Sequence, residues 1–438
     1  MILLLLPWVA LAVSATVFQT VLPRRRWALA AIGVEFLAGI VLLFDGMVSD
    51  SQSSRLPTLA IGWKLPSGGF PAFLDSCLFL FDTKSVIAIL LCALVAASSL
   101  AFDDPRKDRS GWSLACLGGM VAALASADLV THSLSLAIVA IALAGRILHS
   151  QAEGKRLTGL KVLQGQLLGW ISFLAGLAAI AAIASIVRSA PHGIPGKTTT
   201  VIPELARLLA SSIRQHPAAQ MLWEQYENLP LAIMTIATFF VAGLFPCHRL
   251  GFPSVPLSRS DRVWLTSWRF FSLFLIAKSI VLFFPDHIWL SSFWGAALHL
   301  TATGLLGLRL YRVDQGPTFQ RKLEDWLVFQ AFLSLIAVPP KSHEIAMASF
   351  MAFGLVALVN ALAEPVRESQ FTDQAKVKGS RVSQFAGWIL LFGSTAIPSG
   401  WGLSQARSQV FRFQMMGAGN GGTSVLFLLF VIAQCLAI

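Results

Sequence analysis

Charge is what this chain has least of. Lysine, arginine, aspartate and glutamate together make up 13% of its 438 residues, against 55% apolar. A water-soluble domain carries about a quarter charged residues, so a soluble enzyme of this size is excluded. The mean hydropathy of +0.70 makes the lipid bilayer the solvent. Its five cysteines, Cys77, Cys92, Cys116, Cys247 and Cys435, form no CxxC pair. At least three of them fall within apolar runs, where a thiol behaves as a small hydrophobe, so neither a disulfide framework nor a metal site is expected. Also lacking are a GxGxxG turn, a Walker loop and a paired-cysteine run, and the chain is expected to bind no cofactor itself. The net charge of +11 does not point to nucleic acid, because the basic residues sit in loops between apolar runs, as orientation signals do.

What the chain has is apolar length. A helix needs about 20 residues to cross the hydrocarbon core. Runs of that kind lie at 2–22, 27–48, 84–102, 111–127, 129–148, 162–187, 229–246, 262–284, 288–310, 323–339, 344–363, 383–403 and 423–438. The expectation is an all-α, polytopic membrane protein of about 13 transmembrane helices, forming one transmembrane domain over 1–438. The first run opens at Met1 without a basic n-region or a clear cleavage site and reads as a retained helix.

Basic loop residues set the orientation. Arg24–Arg26, Arg106, Lys107 and Arg109, then Lys155, Arg156 and Lys161, then Arg249, Arg259 and Arg262 all fall on one side of this helix stack. Arg312, Arg321 and Lys322, and lastly Arg367, Lys376, Lys378 and Arg381, join them. The expected location is the inner (cytoplasmic) membrane of a bacterium, with the N-terminus outside and the C-terminus inside. Two segments fall outside the spans. Residues 49–83 form an extramembrane loop broken by Pro57, Pro66, Gly68, Gly69 and Pro71. Residues 188–228 form an outer segment whose Leu205, Leu208, Leu209 and Ile213 recur at helical spacing between Pro203 and Pro217, as in a short amphipathic helix.

Polar residues at membrane depth are costly and therefore informative. Glu35, in the middle of the second run, reads either as a carboxyl joining two helices or as a step in a proton path. Lys278, in the eighth run, either snorkels to the outer interface or serves as a buried proton-binding amine. His299, in the middle of the ninth, is either a neutral ring satisfied by a neighbouring helix or a relay. These three are the ion-path candidates. Arg269 is expected to snorkel inward, and Asp45, Asp128 and His132, nearer helix ends, to meet water. Pro246, with His248 two residues on, ends the seventh run, and Pro398 and Gly400 interrupt the twelfth. Such breaks either line a polar cavity at an internal-repeat interface or are ordinary proline kinks.

The order of these features resembles a known family, the antiporter-like membrane subunits of respiratory complex I (chains L, M and N), shared with Mrp antiporters and membrane-bound hydrogenases. Phe81-Asp82-Thr83-Lys84-Ser85 is similar to the family's Asp-Gly-Leu-Ser entry to helix three, and Ala127-Asp128-Leu129 to its start of helix five. Gly159-Leu160-Lys161-Val162-Leu163 with Leu167-Leu168-Gly169 is like its Leu-Lys-Tyr-Phe segment. Gly243-Leu244-Phe245-Pro246-Cys247-His248-Arg249 resembles its Pro-Phe-His-Trp motif after broken helix seven. Arg321-Lys322-Leu323 through Phe329-Gln330 is similar to Lys-Arg-Leu-Leu-Ala-Tyr-Ser-Ser, and Ile397-Pro398-Ser399-Gly400-Trp401 to Pro-Pro-…-Gly-Phe at broken helix twelve.

The resemblance spans nearly the whole chain, and its departures concern ion conduction. The family's helix-five glutamate is missing from Ser135–Ala142, its helix-seven lysine from Phe239–Leu244, and its helix-twelve lysine from 383–403. Lys278 is the counterpart of the helix-eight lysine. The resemblance therefore implies a divergent subunit of a complex-I-like, proton- or cation-translocating redox complex, with an impaired or rebuilt ion path. Such a subunit is non-catalytic within an NADH/quinone-linked oxidoreductase of the respiratory chain, and its partners are other membrane and redox subunits and the lipid bilayer. A subunit of an Mrp-like cation/proton antiporter or of an energy-coupled inorganic-carbon uptake complex is the second implication, and a purely structural membrane-arm subunit the third.

Overall fold

The computed structural model describes residues 2–18, 20–50, 59–64, 76–103, 108–150, 156–189, 199–242 and 258–284. The runs from 288 onward lie outside these, as do His299, Pro246, His248, Pro398 and Gly400. The described helices are α1 (Ile2–Thr16), α2 (Val21–Asp50), α3 (Thr83–Phe102), α4 (Ser110–Ala125), α5 (Leu129–Ser150) and α6 (Arg156–Ser189). After these come α7 (Ile202–Gln215), α8 (Pro217–Tyr226), α9 (Asn228–Ala242) and α10 (Arg259–Phe283). The helices expected at 229–246 and 262–284 are thus α9 and α10.

Val21–Leu43, Leu129–His149 and Gly159–Val187 are long and apolar enough to cross a membrane, while Ile2–Thr16, Ser85–Ala101 and Ser110–Ala125 are apolar but shorter. Their outward faces carry large apolar side chains, among them Val34, Leu37 and Val41 on α2 and Leu134, Ile138 and Ile141 on α5. Apolar residues at helical spacing on an outer surface suit lipid, not water.

Three boundaries differ from the sequence reading. The first run ends at Thr16 and α2 already begins at Val21, so Arg24–Arg26 lie in the first turns of α2 and not in a loop. Pro23 is tolerated there because first-turn N–H groups have no intrahelical acceptor. α6 is longer than expected, with 34 residues, about 50 Å at 1.5 Å per residue. Within 49–83 a hairpin forms, β1 (Leu59–Lys64) pairing antiparallel with β2 (Ser76–Phe81), Leu59 opposite Phe81 and Lys64 opposite Ser76. The all-α expectation therefore needs this one two-stranded sheet added.

The chain divides into two compact units. The first comprises Met1–Phe240 with Arg249–Leu265, the second Val241–His248 with Thr266–Ile438. In the first unit, α4 packs against α1, α3 and α5, and α6 packs against α5, α7 and α8. Small residues permit the close approaches that membrane helices rely on in place of a hydrophobic drive. A Cβ on Gly119 of α4 would stand 2.7 Å from a Val139 methyl of α5, and one on Gly145 of α5 would run into the Trp112 ring of α4. The amphipathic helix expected before Pro217 is α7, whose Leu205 and Leu209 are buried. In the second unit the described part of α10 buries Phe271, Leu273, Phe274 and Ile276.

Candidate functional site

At one end of the first unit, α3 finishes, α4 begins, α5 finishes and α10 begins. Each contributes a charged residue there: Asp103, Arg109, Arg146 and Asp261, with side chains at most 4% exposed. Arg146 is the centre. Its Nη2 donates to both Asp103 oxygens, at 2.7 and 2.8 Å, and its Nε lies 3.2 Å from Asp261 Oδ1. Its Nη1 donates to Ser113 Oγ at 2.5 Å and to the Arg109 carbonyl at 3.4 Å, and Nη2 also donates to Ser260 Oγ. The guanidinium carbon stands 6.0 Å from the centre of the Trp264 ring, within cation–π range. The close approach of α4 and α5 at Gly145 is what brings Arg146 to this position.

Arg109 is held less tightly. Its Nη1 lies 3.3 and 3.5 Å from the Asp261 oxygens, 3.4 Å from Ser258 Oγ and 3.7 Å from Asp103. Its Nε has no hydrogen-bond partner among the described residues. Ser258 donates to Asp261 at 2.5 Å, and the Ser99 and Ser260 hydroxyls meet at 2.6 Å. Two cations and two anions sum to zero charge, and both carboxylates are paired, while the Nε of each arginine makes no hydrogen bond among the described residues. An isolated buried charge costs several kcal/mol, roughly, so such a set is tolerable only when complete. Beside it, Arg24 pairs with Asp108 at 2.7 Å, and Arg25 donates to the Asp103 and Ala101 carbonyls. Arg24, Arg25, Arg109 and Arg146 thus gather at one end of the unit.

The opposite end is built differently. Asp128 caps α5, accepting the N–H groups of Val130 at 3.1 Å and Thr131 at 2.8 Å, and that of Leu78 at 2.9 Å. Around it the Ala127 N–H reaches Leu78 O, the Ile202 N–H reaches Ala127 O and the Leu129 N–H reaches Thr200 O. His132 Nδ1 lies 2.5 Å from Ser126 Oγ, its ring 5.8 Å from that of Phe173. Asp128 and His132 were expected in water. Both are buried, because β2 and the residues before α7 cover the α4–α5 turn. Arg269, in the second unit and expected to snorkel inward, is buried, 2% exposed.

Glu35 stands apart from both ends. It is 1% exposed, and neither carboxyl oxygen has a hydrogen-bond partner among the described residues. Lys278, in the second unit, is partly exposed on the last turns of α10. Glu35 does not join the quartet. Asp103, Arg146 and Asp261 were not among the sequence candidates. The available signal was their sign: an arginine near the end of one run and aspartates at the edges of two others.

No protein-family model matches the chain, and no curated protein matches it by sequence. Solved structures do. A chain of the Mrp complex from Dietzia sp. superposes with a TM-score of 0.66 at 14% identity, covering 99% of this chain and 78% of that one. A chain of the membrane-bound sulfane sulfur reductase, an archaeal respiratory membrane complex, gives 0.63 at 16%, covering 99% and 68%. A chain of NADH-bound respiratory complex I from Thermus thermophilus gives 0.65 at 16%, covering 100% and 87%. The chain shares its fold with a chain of each of these membrane complexes.

Proposed function

We propose that the chain is a divergent antiporter-like membrane subunit of a complex-I-like, proton- or cation-translocating redox complex, with an impaired or rebuilt ion path. Likeness over essentially the full chain to subunits of such complexes carries this reading. The departure in conduction is supported by α5. Its middle holds no acid, and its one arginine is neutralised in the quartet, so no free titratable pair stands where a midplane relay would need one. In this reading the chain binds no cofactor, lies in the inner membrane of a bacterium with its N-terminus outside, and touches lipid and neighbouring subunits. Quinone and NADH chemistry belongs to partners.

Purification of the tagged chain in mild detergent from its native host, with mass spectrometry of what accompanies it, is the test. Redox subunits together with other antiporter-like chains support the proposal. A cation-antiporter or carbon-uptake partner set without redox subunits replaces it with the second implication of the resemblance. Within the intact complex, loss of translocation in Lys278→Ala marks a rebuilt path, and unchanged translocation an impaired one.

A further inference from the structure

The quartet is more elaborate than a static weld requires. Apolar side chains of similar volume often hold helices together as well as a buried ion network, or better, and the best-attested use of such networks is to set a register or a switch. Its bonds are also unequal. Arg146 makes short bonds through its Nη atoms to Asp103, Ser113 and Ser260, whereas Arg109 holds its acids at 3.3–3.7 Å; the Nε of each makes no hydrogen bond among the described residues. Asp261 stands between the two guanidiniums, Oδ1 toward Arg146 Nε at 3.2 Å and Oδ2 toward Arg109 Nη1 at 3.3 Å. A small displacement of the first turn of α10 therefore trades one cation for the other and never leaves the carboxylate unpaired. Among the described residues no backbone–backbone hydrogen bond joins that turn to α3, α4 or α5, and every bond across uses a side chain of the turn, Ser260 Oγ donating to the Ser99 carbonyl at 3.1 Å among them.

We propose that the quartet is an ionic latch, in which Asp261 passes between Arg146 and Arg109 to dock or release the first turn of α10 during the working cycle of the complex. The latch rests on the reading of the chain as a subunit of a translocating assembly. Two arrangements of the same buried charges supply the bistable element that such a cycle needs.

The test uses Ser99→Cys with Ser260→Cys, whose parent hydroxyls are 2.6 Å apart and whose thiols would lie within reach of a disulfide. In the intact complex in lipid vesicles, oxidation is expected to lower ion translocation several-fold. Reductant should then return it to the level of the same variant kept reduced. Full crosslinking with translocation unchanged overturns the latch and leaves the assignment to the complex standing. If the reduced complex translocates nothing, the translocating reading fails on its own, and Ser260→Cys alone decides the latch. Ser260 is 1% exposed in the docked state. Labelling of its cysteine replacement by a water-soluble maleimide that speeds several-fold under an imposed proton gradient supports release. Protection under every condition overturns it.

Discussion

At the Asp103 end of the first unit, four helices meet through side chains bearing full charges. At the Asp128 end, the α4–α5 turn is stitched by backbone N–H and carbonyl groups to β2 and to the residues before α7. Both ends satisfy buried polar atoms, but by different means. Backbone stitches depend on the path of the chain and survive most substitutions. A closed set of two cations and two anions is conditional, since loss of one member leaves the other three out of balance in a medium that cannot solvate them. One end is suited to permanence and the other to change.

Substituting the central cation should separate the two ends most clearly. Arg146→Ala leaves Asp103 and Asp261 facing only Arg109, and breaking a buried pair in this way costs about 3–5 kcal/mol. We expect a collapse in membrane yield, or a fall in unfolding free energy of that order in detergent. Replacing all four charged residues together by leucine or methionine should recover most of the loss. A quadruple variant as unstable as Arg146→Ala would mean that packing, and not charge balance, governs this end.

The corresponding substitution at the other end should be milder. Asp128→Ala removes a helix cap, for which the usual cost is about 0.5–2 kcal/mol, because the surrounding backbone bonds remain. Asp128→Asn keeps an acceptor oxygen and should cost less again. Equal losses for Asp128→Ala and Arg146→Ala, measured in the same unfolding assay, would erase the distinction between the ends.

How far each end could be read from the sequence follows from the same chemistry. The helices were legible because lipid demands long apolar runs, and α3, α4, α5 and α10 fall within a few residues of expectation. The amphipathic spacing of Leu205 and Leu209 placed α7. The hairpin was not legible: its strands are short, and the prolines and glycines between them read as an unstructured loop. Nor was the quartet. Arg146, Asp103 and Asp261 lie at the ends of apolar runs, where charges ordinarily reach water, and nothing local says that four such ends converge. Glu35 was legible as a carboxyl at membrane depth, and it is buried with neither oxygen hydrogen-bonded among the described residues.

Acid titration sharpens the comparison beyond the two ends. Between α8 and α9, burial pushes the Glu227 carboxyl up to about 7 from its ordinary value near 4.5, with the like charge of Glu224 adding to the shift. The folded chain then binds this proton more tightly than the unfolded chain does. Its contribution to stability is therefore fullest below about 4.5 and declines as pH rises toward 7. Glu227→Gln should flatten that part of the pH–stability curve. A slope that persists unchanged in the variant belongs to another group.

The smallest effect is expected at the rim of the quartet, where Arg24 and Asp108 are partly exposed. Burial alone would raise the Asp108 carboxyl, but the Ser110 hydroxyl at 2.6 Å, the Arg24 guanidinium at 2.7 Å and the Ser110 N–H at 3.3 Å outweigh it and hold it below its ordinary value. The folded chain releases that proton more readily than the unfolded one. Its contribution is thus present above the ordinary aspartate range and lost as pH falls through the lowered value. A partly exposed pair is worth about 0–1 kcal/mol, so Asp108→Asn should barely move the unfolding midpoint at neutral pH and should weaken further in high salt. A loss approaching that of Arg146→Ala would show that the rim pair is part of the buried set, and that the set extends from α10 across to the first turn of α2.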